Sequence, residues 1–501
     1  MSNHVDLDHF LANNIALTPA ERVKMKAILA ESYSYAGHLA SRITTLRMEL
    51  ERTHREHRRV SANIHKATLV LAPARALPAE ILSEIFFWVA MDGEPQRRHR
   101  PRGPPPWRLG LVCRYWRNIA LALPVLWSRF SVGGHETRAR PPSDRQQHAF
   151  VAQAEQLARS GRSPLFVSFT WSKDSVDTTI SLMGMLMEHS GRWKEFAFYA
   201  IHDVDTFFAF LRPISGRLST VENLRCSCYH PLNSPVDLFS DVPRLAELDF
   251  MVERNDIEMP WHRVTKCYME GLLEEHLPSL ELAHNLVELF LNVQPPDFLD
   301  PEPDTITLPR LRTLFVLETV VLRFFTTPEL QRLHLTSGDL DLAAEFFKRS
   351  QCQLDILALS EEERREEGMI ISEFVDLLRY MPRLKVLIIT GQTRLSEHPE
   401  GNRSYDHDLN SLFTAMKIDG PESSALVPQL STFFFGLDQN VFMDQTFQTM
   451  ICSRRGPLTR VVVEMTSKEY FSVGDWEGAD PTIEWMEYSE IQDVQYSYFY
   501  R

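Results

Sequence analysis

Glycine is scarce in this chain, 20 of 501 residues, and the shortage limits the chemistry open to it. Loops that cradle phosphate need closely spaced glycines so that backbone N–H groups can reach the anion, and no such run occurs. The Gly-x-Ser-x-Gly turn of serine hydrolases and the His-Glu-x-x-His zinc motif are absent too. Cysteine is scarcer, six residues, too few for a disulfide scaffold. No apolar run approaches the ~20 residues that cross a bilayer; the densest, Phe315–Phe325, carries Glu318 and Arg323. Met1–Phe10 is polar, so no secretory signal is expected, and the thiols are expected to be reduced in the cytoplasm or nucleus. A non-catalytic protein with no cofactor and no metal is the expectation.

What is present is globular in composition, 44% hydrophobic and 24% charged, but unevenly charged. Residues 1–140 carry a net +9 and the remainder −23, together the chain's −14. A basic head on an acidic body predicts two differently built parts. The acidic body argues against nucleic acid, whose phosphates need a positive surface. It suggests instead a locally basic protein partner; a membrane partner is not expected.

After a flexible stretch 1–19, residues 20–71 read as one long helix. Thr18-Pro19 with Glu21 supplies a capping hydroxyl, a helix-starting proline and an acidic first turn. From Leu39 a seam runs Ile43, Leu46, Leu50, Thr53, His57, Val60, Ile64, Ala67 and Leu71 in alternating steps of four and three. That heptad pattern fits either a coiled coil joining two copies or an amphipathic helix packed on its own body. A second helix starts at Leu77-Pro78-Ala79-Glu80, with Ile81, Leu82, Ile85, Phe86 and Val89 on one broad apolar face. The segment GEPQRRHRPRGPPP, 93–106, is an insertion that is either solvated or an anion-docking patch. Helical spacing resumes at Trp107 and stops at Pro124, and 133–160 is expected to be a linker.

Beyond residue 160 one phrase recurs: apolar, two others, apolar, one other, apolar. It appears at Leu245-Leu248-Phe250, Leu286-Leu289-Leu291, Leu311-Leu314-Val316, Leu330-Leu333-Leu335, Leu354-Leu357-Leu359, Leu384-Leu387-Ile389 and Leu430-Phe433-Phe435. Weaker copies stand at Trp193-Phe196-Phe198, Val221-Leu224-Cys226 and Leu458-Val461-Val463. In a strand alternate residues face one way, so the last two positions point at one core. Asp341–Arg349 and Ile371–Tyr380 have helical spacing and serve as return segments. The repeats resemble the leucine-rich repeat family, whose period is ~20–29 residues. The family's turn asparagine is missing: Glu253, Gln294, Thr319, Gly338, Glu362, Gln392 and Asp438 stand in its place. The expected fold is therefore an α/β solenoid: long helix, small helical module, then an irregular repeat array over 161–473 with a parallel sheet and outer helices. The alternative is a non-repeat α/β domain.

Residues 75–132 resemble an F-box. Leu77-Pro78, Glu80, Ile81, Ile85-Phe86, Val112-Cys113-Arg114-Tyr115-Trp116 and Leu126-Trp127 follow that motif's order, with 93–106 as the departure. The combination looks like the F-box proteins of mushroom-forming fungi. The resemblance implies a substrate-recognition adaptor of an SCF-type (cullin–RING) ubiquitin ligase. Leu77, Pro78, Ile81, Ile85, Val112 and Trp116 would bind the small adaptor subunit, and the repeats would bind a protein substrate. Trp116 and Trp127 are expected to be largely internal. A scaffold outside any ligase, dimeric through the long helix, is the alternative.

Two features remain. Cys226-Ser227-Cys228-Tyr229-His230 has the wrong spacing and too few ligands for zinc and reads as structural thiols. The acidic, aromatic tail 474–501 reads either as a cap on the array or as part of its recognition surface.

Overall fold

The computed structural model describes residues 16–91, 106–133, 143–172, 177–228, 230–252, 256–296, 304–337, 340–361, 371–391, 411–418, 426–435, 445–454, 456–464, 482–486 and 497–499. The Pro/Arg insertion up to Pro105 lies outside them, as does most of the tail. The chain divides into two compact units, 1–85 and 86–501.

The first unit is dominated by α1, Pro19–Leu71. Its start is a capping box: the Thr18 hydroxyl accepts from the Glu21 N–H, and the Glu21 carboxylate accepts from the Thr18 N–H at 2.8 Å. None of its 53 residues is buried. The seam residues Leu39, Ile43, Leu46, Leu50, Val60, Ile64 and Leu71 are exposed. Helix α2, Ala79–Met91, follows and carries the boundary between the two units.

The second unit is built on one parallel sheet. Its fourteen described strands are β1 Arg129–Val132, β2 Leu165–Trp171, β3 Trp193–Ala200, β4 Asn223–Cys228, β5 Glu247–Val252, β6 Lys266–Leu272 and β7 Glu288–Gln294, then β8 Thr313–Glu318, β9 Arg332–Ser337, β10 Ile356–Glu361, β11 Val386–Gly391, β12 Thr432–Phe435, β13 Arg460–Glu464 and β14 Thr482–Met486. They lie side by side in chain order, and the sheet is not closed into a barrel. All three apolar positions of every phrase named above are buried, the weaker copies included. Strand register aligns their third positions in one row from Val132 through Phe169, Phe198, Cys226, Phe250, Met269, Leu291, Val316, Leu335, Leu359, Ile389 and Phe435 to Val463. The return helices include Leu340–Ser350 and Ile371–Leu378, whose apolar residues belong to the same continuous core.

Several sequence expectations need correction. The segment 133–160 is not a linker: it holds helix α5, Ser143–Arg159, whose Gln156 amide donates to the Arg129 carbonyl at 2.6 Å. The sheet does not begin at 161 but at Arg129, so Trp127-Phe130-Val132 already forms a phrase inside the F-box-like stretch, and all three are buried. A further phrase, Val264-Cys267-Met269, fills the long step between Leu245 and Leu286; cysteine at its middle position concealed it. The tail does not form only a cap, because Thr482–Met486 joins the sheet as its last strand.

Side-chain donors tie successive strand segments together. Hydroxyls just before the strands bond the matching carbonyl of the preceding repeat: Thr265 to Ala246, Ser431 to Lys385 and Thr459 to Ser431, each at 3.1 Å. Three arginines do the same over longer reach. Arg192 donates to the Ser163 carbonyl at 2.8 Å, and Arg349 to those of Leu322 (2.7 Å) and Phe325 (2.9 Å). Arg454, fully buried, serves the carbonyls of Met416 (2.6 Å), Val427 (2.9 Å) and Leu426. Burial pushes its pKa down to about 10, which still leaves it charged at neutral pH.

Candidate protein-binding surfaces

The F-box-like stretch is assembled from α2, α3 (Pro106–Val112), α4 (Arg114–Leu121) and the turn Pro124–Trp127. The Val-Cys-x-x-Trp spacing has a local cause. Cys113 caps α4, its sulfur accepting the Trp116 N–H at 3.4 Å, which is the bond an N-cap side chain three residues back can make. Trp127 is buried and its indole N–H donates to the Ala120 carbonyl at 2.8 Å. Trp116 is only half-buried, less internal than expected, with its ring edge-on to Phe86 at 5.0 Å.

The apolar face read for α2 is in fact two faces. Leu82 and Phe86, four apart, are buried. Ile81, Ile85 and Trp88, at i, i+4 and i+7, are 48%, 39% and 66% exposed and form an apolar stripe along the helix. Trp88 was not singled out in the sequence, although its spacing from Ile81 would have found it. Of the other motif residues, Leu77 is half-buried, Pro78 is exposed and Val112 is 59% exposed. Leu111 and Tyr115 beside it are exposed as well.

The sheet has a second face, turned away from the main core. Toward the early strands it is polar and its charges are paired across strands. Arg225 lies 3.6 Å from Glu195 and 3.2 Å from Asp249, while Lys266 and Arg332 approach Glu288 at 3.2 and 3.7 Å. These carboxylates are engaged, so the acidic composition of the body does not translate into a free acidic surface here. Toward the later strands the face is apolar. Ala358, Val386, Ile388, Phe434 and Val462 form a second, smaller core with Phe499. Arg332 donates to the Tyr498 carbonyl at 3.0 Å, and the Phe499 ring lies 5.3 Å from His334. His334 also shares a 2.8 Å hydrogen bond with the Ser360 hydroxyl; burial pushes its pKa down to about 3.

No group of three or more His, Cys, Asp or Glu able to hold a metal occurs among the described residues. Cys226 and Cys228 both face the main core, where burial raises Cys228 to about 12 and Cys226 well above its ordinary value, so both are neutral thiols. His230 is exposed, apart from them in environment. No described helix is long and apolar enough to cross a membrane. Comparison of the sequence with models of known protein families and with curated proteins finds no match.

Proposed function

We propose that the chain is a non-catalytic, substrate-recognition subunit of an SCF-type ubiquitin ligase, acting in the cytoplasm or nucleus, with residues 75–132 as an F-box. The observation that carries this reading is the uncovered stripe Ile81–Ile85–Trp88 on a helix whose opposite side is buried. Apolar side chains ordered on a helix and left to water mark a place for a partner. Leu77, Pro78, Val112 and Trp116 are the further adaptor-binding residues that the resemblance assigns. The in-order parallel strands support reading 161–473 as a degenerate leucine-rich-repeat solenoid, which holds the protein substrate while partner subunits transfer ubiquitin. The test is co-purification with the small adaptor subunit. The wild-type chain captures it and the double variant Ile81→Asp, Ile85→Asp does not; a wild-type chain that never captures it sinks the proposal.

A second reading concerns α1. A helix of 53 residues with none buried, bearing a heptad seam, has the form of one strand of a coiled coil joining two copies of the chain. Thr53 and His57 interrupt the seam without ending it. This dimer serves a scaffold as readily as a ligase subunit. Light scattering on the full chain and on its Leu46→Glu, Leu50→Glu variant decides: a monomer in both removes the dimer.

A further inference from the structure

The face of the late strands turned away from the main core is apolar. Register places Ala358, Ile388, Phe434 and Val462 in one row across β10 to β13, with His334 and Phe315 continuing it onto β9 and β8. Among the described residues, what lies on this row is a single short piece of the chain, a helical turn at 497–499. Its anchors are two adjacent aromatics. Tyr498 meets the Phe434 ring edge-on at 6.1 Å, and Phe499 is buried against His334. The Arg332 guanidinium donates to the Tyr498 carbonyl, across 166 residues of sequence. The turn is not a strand of the sheet, so no ladder of backbone hydrogen bonds holds it there.

We propose that this apolar half of the second face is a binding surface for a protein segment carrying two adjacent aromatic residues, and that Tyr498-Phe499 is an internal occupant which such a segment displaces. The surface selects by its own chemistry: apolar area flanked by aromatic edges for the two rings, and Arg332 for the carbonyl between them. Arg332 is also held by Glu288, so it stays oriented toward the segment when the face is vacated. The charged half beside it contributes little, because its ion pairs are already formed within the sheet. Aromatic anchors in desolvated pockets dominate protein interfaces, which is what this surface offers. The inference rests on the sheet being the partner-holding part of the molecule and is independent of docking to a ligase, so its test uses the purified chain alone.

The probe is a labelled peptide of residues 490–501, added to the full chain and to the full-length variant Tyr498→Ser, Phe499→Ser. The vacated variant is expected to bind the peptide at least tenfold more tightly than the wild type. A peptide with the same two substitutions is expected not to bind. Equal affinity for the two chains, or equal binding of the two peptides, overturns the proposal. If the variant fails to fold, amide hydrogen exchange on the unaltered chain decides. Tyr498 and Phe499 amides exchanging at least a hundredfold faster than those of Leu387–Ile389 support a displaceable occupant. Exchange together with the core makes the turn a fixed part of the fold and overturns the proposal.

Discussion

The guanidinium of Arg159 lies 4.6 Å above the ring of Trp127, and at the same distance above that of Trp107. The two indoles meet edge-on at 4.8 Å. One residue of α5 thereby locks the last turn of the F-box-like stretch to the first return helix of the sheet. Trp127 closes the one and opens the other, since it is the first apolar position of the phrase that ends at Val132. The turn Pro124–Trp127 and the beginning of the sheet are thus tied together by α5 within the second unit.

Removing this lock has a measurable cost. A partly desolvated cation over an aromatic ring contributes about 1–2 kcal/mol, and Arg159 makes two such contacts besides an ion pair with Glu155 at 2.9 Å. Arg159→Gln is expected to lower stability by about 2 kcal/mol in urea denaturation, as lost cation–π terms of that size imply. Trp127→Ala is expected to cost about 3–5 kcal/mol, as a large buried aromatic does.

The two sides of α2 are expected to separate binding from folding. Ile81→Asp and Ile85→Asp place charge where water already reaches, so the melting temperature should move little while adaptor capture is lost. Leu82→Asp buries an unpaired carboxylate and is expected to destabilise the chain by several kcal/mol. Thermal melting read beside co-purification distinguishes the two; equal melting of Leu82→Asp and wild type would contradict the burial of that side.

His334 gives the molecule an acid sensitivity of known sign. Its folded pKa, about 3, is below the ordinary value near 6.5, because burial disfavours the charged ring. The unfolded chain then binds the extra proton between these values. Stability from this site is full above about pH 6.5 and falls, by at most about 1.4 kcal/mol per pH unit, as the pH drops toward 3. Comparing wild type with His334→Gln by chemical denaturation from pH 7 to pH 4 isolates the effect: the variant should show the shallower loss.

Arg454 is expected to matter out of proportion to its place between two late strands. Arg454→Met keeps the side chain's bulk but leaves the Met416, Leu426 and Val427 carbonyls without their donor. Unsatisfied buried acceptors cost roughly 1–3 kcal/mol each. A loss of at least about 3 kcal/mol in denaturant titration is expected on that basis, and a neutral outcome would show that those carbonyls find other partners.

The repeat phrase was legible because its cause is local. Each strand alternates its side chains, each phrase needs its neighbours to close the core, and this requirement recurs at similar steps along the chain. Leu248, Leu289, Leu314, Leu333, Leu357, Leu387 and Phe433 could therefore be placed inward with no knowledge of contacts. The long helix was legible for the same kind of reason, with Thr18 and Glu21 setting its start.

What the sequence did not reveal depends on residues far apart in it. Whether Ile81 or Leu82 faces inward is a matter of which side of α2 meets packing, and both are equally apolar. The packing of the helix Ser143–Arg159 shows in Arg159 meeting Trp107 and Trp127, far away in sequence. The second face of the sheet hid most completely: its charges cancel only once Arg225, Glu195 and Asp249 stand on neighbouring strands, and among the described residues its apolar half is met by Phe499 returning to His334. The scarcity of glycine, cysteine and long apolar runs restricted the chemistry, and alternation along the strands determined one face of the sheet. Tertiary structure alone decided the other face, because nothing in a strand's own period specifies what will lie across it.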